Sequence, residues 1–163
     1  MNTHSIDLEL SSSQFLSITD GDQTGLDITG DLTIEQWVKV ESEPASGDLR
    51  VIVSKTSDTA SNNQYSLDYY NNAGTKQIRM AIFNGANFSS WHINQTLTAG
   101  TWYHVAVTVD VSEATSEFYI NSSATTGTVD SSGATSIGAG NGPFQIGARK
   151  TTADRFWDGL IDE

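Results

Sequence analysis

The chain has 163 residues, no cysteine, and 20 Asp and Glu against 8 Lys and Arg, for a formal net charge of −12. Without cysteine there is neither a disulfide scaffold nor a thiolate metal centre. The acidic balance excludes nucleic acid as a partner, because a phosphate backbone must be neutralised by Lys and Arg.

The predicted elements are short strands throughout. Ile6, Leu8 and Leu10 alternate with Asp7 and Glu9, and Leu16 and Ile18 follow. Leu32, Ile34, Val38 and Val40 share one face, with Thr33, Glu35, Trp37 and Lys39 on the other. Tyr65, Leu67 and Tyr69 repeat the pattern, as do Ile78, Met80 and Ile82. Tyr103, Val105, Val107 and Val109 stand opposite Trp102, His104, Ala106 and Thr108; Phe118 with Ile120 and Phe144 with Ile146 complete the series. Period-two alternation puts one face of each strand on a core and the other toward solvent. Turn clusters separate the runs, among them Asp20-Gly21-Asp22, Asn71-Asn72-Ala73-Gly74 and Asn84-Gly85-Ala86-Asn87. No segment has helical periodicity. Residues 122–142, rich in Ser, Thr and Gly, read as a solvated loop. The expectation is one all-β domain over 1–163, a two-sheet antiparallel sandwich or a barrel. No apolar run approaches the ~20 residues of a membrane span, so no membrane insertion is expected. The segment Met1–Ser5 lacks the basic and apolar regions of a signal peptide.

Several segments share an order: Thr33-Ile34-Glu35-Gln36-Trp37-Val38-Lys39, Ser54-Lys55, Tyr65-Ser66-Leu67, Trp102-Tyr103-His104-Val105-Ala106, Phe118 to Asn121, Pro143 to Gly147, and Trp157 to Glu163. Together they resemble the laminin G-like domains of the concanavalin A-like lectin/glucanase superfamily. The resemblance implies a jelly roll in which Trp37, Trp102 and Trp157 pack the interior and His104 bonds to a strand neighbour. It also implies a last strand running beyond the Asp162-Glu163 pair, and a glycine where this chain has Ser122.

Two calcium readings arise. The stretch Asp20 to Asp31 carries oxygen ligands at alternate positions, including Asp20 and Asp22, as a calcium-binding loop does. Its last position is Asp rather than the longer Glu, so an Asx-rich turn without an ion is the competing reading. The resemblance implies a second, structural calcium held by Asp162, a carbonyl near Gly30, and Glu9.

Carbohydrate recognition uses an aromatic platform beside amides, carboxylates and hydroxyls in a shallow site. Trp91 and His92, with Asn84 nearby, form one such group; Tyr70 with Asp68, Asn71 and Asn72 forms another. Trp91 equally suits a role covering the second face of its own sheet. Glucanases of this fold need two carboxylates on one strand face. The nearest stretch, Ser5-Ile6-Asp7-Leu8-Glu9, has serine at the nucleophile position, so no enzymatic activity is expected. The sequence reading is a non-catalytic recognition or adhesion module for glycan or protein, extracellular, on a cell surface or on a virion. The alternative is a structural or assembly domain of a virion or surface fibre, with self-association.

Overall fold

The computed structural model describes residues 4–85 and 87–162. Glu163 of the closing motif and Ala86 of the predicted 84–87 turn lie outside them. Among the described residues thirteen strands, numbered here in chain order, form two antiparallel sheets. The six-stranded sheet runs β1 (Ile6–Leu8), β13 (Gly159–Asp162), β3 (Leu32–Val40), β8 (Tyr103–Asp110), β9 (Thr115–Ile120), β10 (Ser123–Thr126). The seven-stranded sheet runs β11 (Thr128–Ser132), β7 (Asn87–Asn94), β6 (Thr75–Asn84), β5 (Tyr65–Asn72), β4 (Leu49–Lys55), β12 (Phe144–Ile146), β2 (Leu16–Ile18). Single 3-10 turns at Leu10–Ser12, Asp20–Asp22 and Ala60–Asn62 are the only helical elements among the described residues.

The alternation read from the sequence assigns the faces. Val38 and Val40 of β3, Val105 and Val107 of β8 and Phe118 of β9 meet Leu67 and Tyr69 of β5, and Ile78 and Met80 of β6, in one apolar core. Burial of such side chains is worth about 1.5–3 kcal/mol each relative to exposure. Trp157 belongs to this core, as the resemblance implied.

Trp37 does not. It lies on the outer face of β3 with 40% of its surface exposed, its ring 5.2 Å from that of His104 on the neighbouring strand. Trp102 is only half-buried, with the Lys39 ammonium 5.6 Å over its ring. The physical reason is parity: Trp37 alternates with the core positions of β3, and Trp102, just before β8, is out of phase with Val105 and Val107, so an interior place would turn Val38 or Val105 outward.

Residues 122–142 are also more ordered than a solvated loop. Asn121 and Ser122, both at positive φ, turn β9 back on β10, the conformation of a two-residue hairpin turn that glycine otherwise favours. The chain then crosses from one sheet to the other at Gly127, where a Cβ would stand 2.5 Å from Ser116 Oγ and 2.8 Å from the Phe118 ring. The short strand β11 follows on the edge of β7, with a register shift between Val129 and Ser131 that leaves Asp130 unpaired in the ladder.

β8 pairs with β3 from Leu32 to Val38, whereas β13 pairs with it only from Trp37 to Val40. Among the described residues no strand lies beside Leu32–Gln36 on that side.

Candidate functional site

The seven-stranded sheet carries side chains on its outer face in rows fixed by register. Tyr70 stands opposite Gln77, and Gln77 opposite Asn94. The next row is Asp68, Arg79, His92 and Thr128, and the next Ser66, Ala81, Ser90 and Ser131. Tyr70, Asn72, Gln77, Arg79, Phe88, Ser90, Asp130 and Ser131 line a groove of about 290 Å³. That volume is near the lower end of the ~300–1,000 Å³ usual for small-ligand sites.

Arg79 organises the floor. Its Nε and Nη2 donate to Asp68 Oδ2 at 3.2 and 2.8 Å, and its guanidinium carbon lies 4.7 Å from the Tyr70 ring centroid. Asp68 is 2% exposed, and its Oδ1 has no hydrogen-bond partner. His92 Nδ1 is 2.8 Å from Asp130 Oδ1, so the bulge in β11 aims that carboxylate at the rim. Gln77 Nε2 donates to Asn94 Oδ1 at 3.3 Å. An arginine fixed against an aromatic ring, with amide, hydroxyl and carboxylate groups around it, can exchange hydrogen bonds with a hydroxyl-rich ligand.

Among the sugar-contact candidates, Tyr70 and Asn72 line this groove, and His92 stands beside it through Asp130. Trp91 is a correction: it is 1% exposed, and its indole N–H donates to the Ala114 carbonyl at 3.2 Å. Its partner across the ladder is Met80 on the core side, so it covers the inner face of its sheet. Asn84 is a second correction. It sits at the far end of β6, bonds Ser136 Oγ at 2.6 Å, and is five residues, roughly 16 Å, along the strand from Arg79. Asn71 is buried and donates to the Pro44 carbonyl.

Arg79, Gln77, Ser90, Phe88, Asp130 and Ser131 escaped the sequence reading. The alternation of Ile78, Met80 and Ile82 did carry a signal, since it sends Gln77 and Arg79 to the outer face. Only strand pairing brings them to Tyr70.

The calcium candidates separate. Asp20 Oδ1 is 2.5 Å and Asp27 Oδ1 3.2 Å from the Lys55 ammonium, which also donates to the Gly142 carbonyl at 2.9 Å. A built-in cation thus occupies the place of the metal, and Asp22 accepts a bond from Thr19 Oγ1 at 2.6 Å. Lys55 hydrogen bonding holds the Asp20 carboxyl below the usual carboxylate range. The second set cannot share one ion. Asp162 pairs with Trp37, whereas Gly30 precedes the start of β3 by two residues, roughly 23 Å away along the strand. Glu9 follows Leu8, which pairs with Gly159 at the opposite end of β13, roughly 13 Å from Asp162.

Glu9 instead joins Asp7 and Glu41, with carboxylate oxygens all within 4.8 Å of one another. Desolvation first, then the charges of Asp7, Glu9 and Asp158, push the Glu41 carboxyl up. Oxygen donors crowded in this way are the kind a hard divalent ion takes, so these are the residues that could hold calcium.

Over residues 10–163 the sequence matches Laminin_G_3, described as the concanavalin A-like lectin/glucanases superfamily. The chain belongs to this family. No curated protein matches it by sequence. Solved structures share the fold at low identity. The carbohydrate-binding module CBM40 of the Ruminococcus gnavus IT-sialidase, bound to α2,3-sialyllactose, aligns with TM-score 0.67 and 13% identity, over 97% of this chain and 84% of that one. A heptameric SAP-like pentraxin from Limulus polyphemus aligns with TM-score 0.56 and 18% identity, over 86% and 70%. A putative carbohydrate-binding protein from Bacteroides ovatus aligns with TM-score 0.64 and 14% identity, over 98% of this chain but 41% of that one. Among the described residues no helix is long and apolar enough to cross a membrane.

Proposed function

We propose that this laminin G-like domain is a non-catalytic recognition module that binds glycan in the groove across β5, β6, β7 and β11. The observation that carries this reading is the Tyr70–Arg79–Asp68 assembly, built on paired strands and ringed by Asn72, Gln77, Ser90 and Asp130. A rigid sheet holds such groups in fixed geometry, which lowers the ordering cost of binding. Carbohydrate-binding proteins of the same fold support it by analogy. A module of this kind belongs outside the cell or on a cell surface. The test is a glycan array with Tyr70→Ala as control: binding lost in the variant supports the groove, and binding retained removes it.

Calcium belongs to the same proposal, at Asp7, Glu9 and Glu41 rather than at the positions the sequence suggested. A second reading is an assembly domain of a virion or surface fibre, with self-association. Concentration-dependent oligomers in light scattering, together with silence across the array, would replace the first reading by the second.

A further inference from the structure

Resting on the glycan reading of the groove, we infer that its ligand is an uncharged glycan, recognised through hydroxyls, and that sialylated, uronic and sulfated glycans are excluded. Among the described residues Arg79 is the only Lys or Arg that lines the groove, and its charge is already balanced by Asp68, which takes two of its five N–H donors. Both its Nε and its Nη2 bond to one oxygen of Asp68, a carboxylate 2% exposed. A ligand carboxylate or sulfate on the remaining N–H groups would meet a charge already balanced by this buried anion, and one that drew the guanidinium away would strand it, since its second oxygen has no partner as it stands. Leaving one member of such a pair uncompensated is strongly unfavourable.

No other Lys or Arg is free to take the role. Of the eight Lys and Arg side chains, seven lie against a carboxylate and the eighth, Lys39, sits over the Trp102 ring on the other sheet. Asp130 at the rim, its Oδ1 2.8 Å from His92 Nδ1, places a further carboxylate beside the ligand, and the chain as a whole carries −12. The remaining liners, Asn72, Gln77, Ser90 and Ser131, offer neutral donors and acceptors, which hydroxyls satisfy in both directions.

The experiment compares neutral oligosaccharides with their sialylated and sulfated counterparts on one array, then measures lactose against 3′-sialyllactose and the strongest neutral hit by calorimetry. The expected result is at least tenfold weaker binding of each acidic counterpart. Neutral affinity should stay within about twofold between low and high salt, since screening acts on charged pairs. Asp68→Asn frees the guanidinium and is expected to raise the affinity for acidic counterparts at least tenfold over wild type. Acidic glycans bound by wild type as well as neutral ones, through Tyr70, would overturn the inference while leaving the glycan reading intact. No binding of either class would remove the glycan reading, and the inference with it.

Discussion

The Lys55 ammonium lies 2.5 Å from the Asp20 carboxylate on a side chain with no exposed surface, while Asp20 and Asp27 remain 31% and 50% exposed. This asymmetry decides what each substitution costs. Lys55→Ala removes the buried stem and the charge together. The carboxylates it leaves can rehydrate, so the loss falls toward the lower end of the ~3–5 kcal/mol for breaking a buried pair. Lys55→Met keeps the stem and loses less. Neutralising both acids, Asp20→Asn with Asp27→Asn, strands the ammonium and should destabilise more than Lys55→Met. Urea midpoints for the three variants check the order. Calcium added to Lys55→Met should not restore the midpoint, because the loop is built around an amine.

Trp91 is buried, in line with its sheet-covering reading, and Trp37 is exposed, against the interior place the family resemblance implies. Trp91→Ala opens a cavity in the core and should cost about 3–5 kcal/mol. Trp37→Ala removes an outer-face ring whose one aromatic contact is His104, and should cost about 1 kcal/mol. Denaturant unfolding distinguishes them directly. Equal losses would mean that the outer face of β3 is covered in solution.

How far the sequence could be read follows from what alternation can and cannot encode. It assigned Val38, Val105, Leu67 and Met80 to the core because a strand's parity is local. The same parity put Trp37 outside, and the family pattern overrode it, since a tryptophan in a shared motif reads as interior filler. The groove was half visible. Tyr70 and Asn72 were picked out, but Arg79 and Asp130 join them only through the pairing of β5, β6, β7 and β11. Register is a long-range property, and Asp130 sits in a stretch without apolar anchors. Lys55 was invisible as an interior ion because nothing local distinguishes a buried lysine from a surface one.

Tyr65 gives the protein an alkaline limit. Burial pushes its hydroxyl up to about 12, and it donates to the Leu26 carbonyl at 3.0 Å. The unfolded chain releases this proton near pH 10, so the stabilisation is complete below that value and is lost as pH rises toward 12. The shift corresponds to about 3 kcal/mol. Stability measured from pH 9 to 12 should fall steeply in wild type and less in Tyr65→Phe, which starts lower by about 1 kcal/mol for the missing hydrogen bond. Parallel slopes would assign the alkaline loss to other groups.

Glu41 makes the calcium proposal testable without any ligand for the groove. A carboxyl whose proton is held above its ordinary value, by desolvation and then by Asp7, Glu9 and Asp158, opposes folding once it ionises. Stability from this group is therefore present below the unfolded value and is lost as pH rises through the higher folded one. Two changes relieve the same repulsion: removing the charge with Glu41→Gln, or binding a divalent cation to the folded state. Wild type should melt higher with added Ca²⁺ and lower with chelator. Glu41→Gln should melt higher than wild type in chelator and gain little from calcium, whereas Asp162→Asn should keep the full response, because Asp162 lies at the other end of β13. A calcium shift that survives Glu41→Gln and disappears in Asp162→Asn would move the ion back to the position implied by the family resemblance.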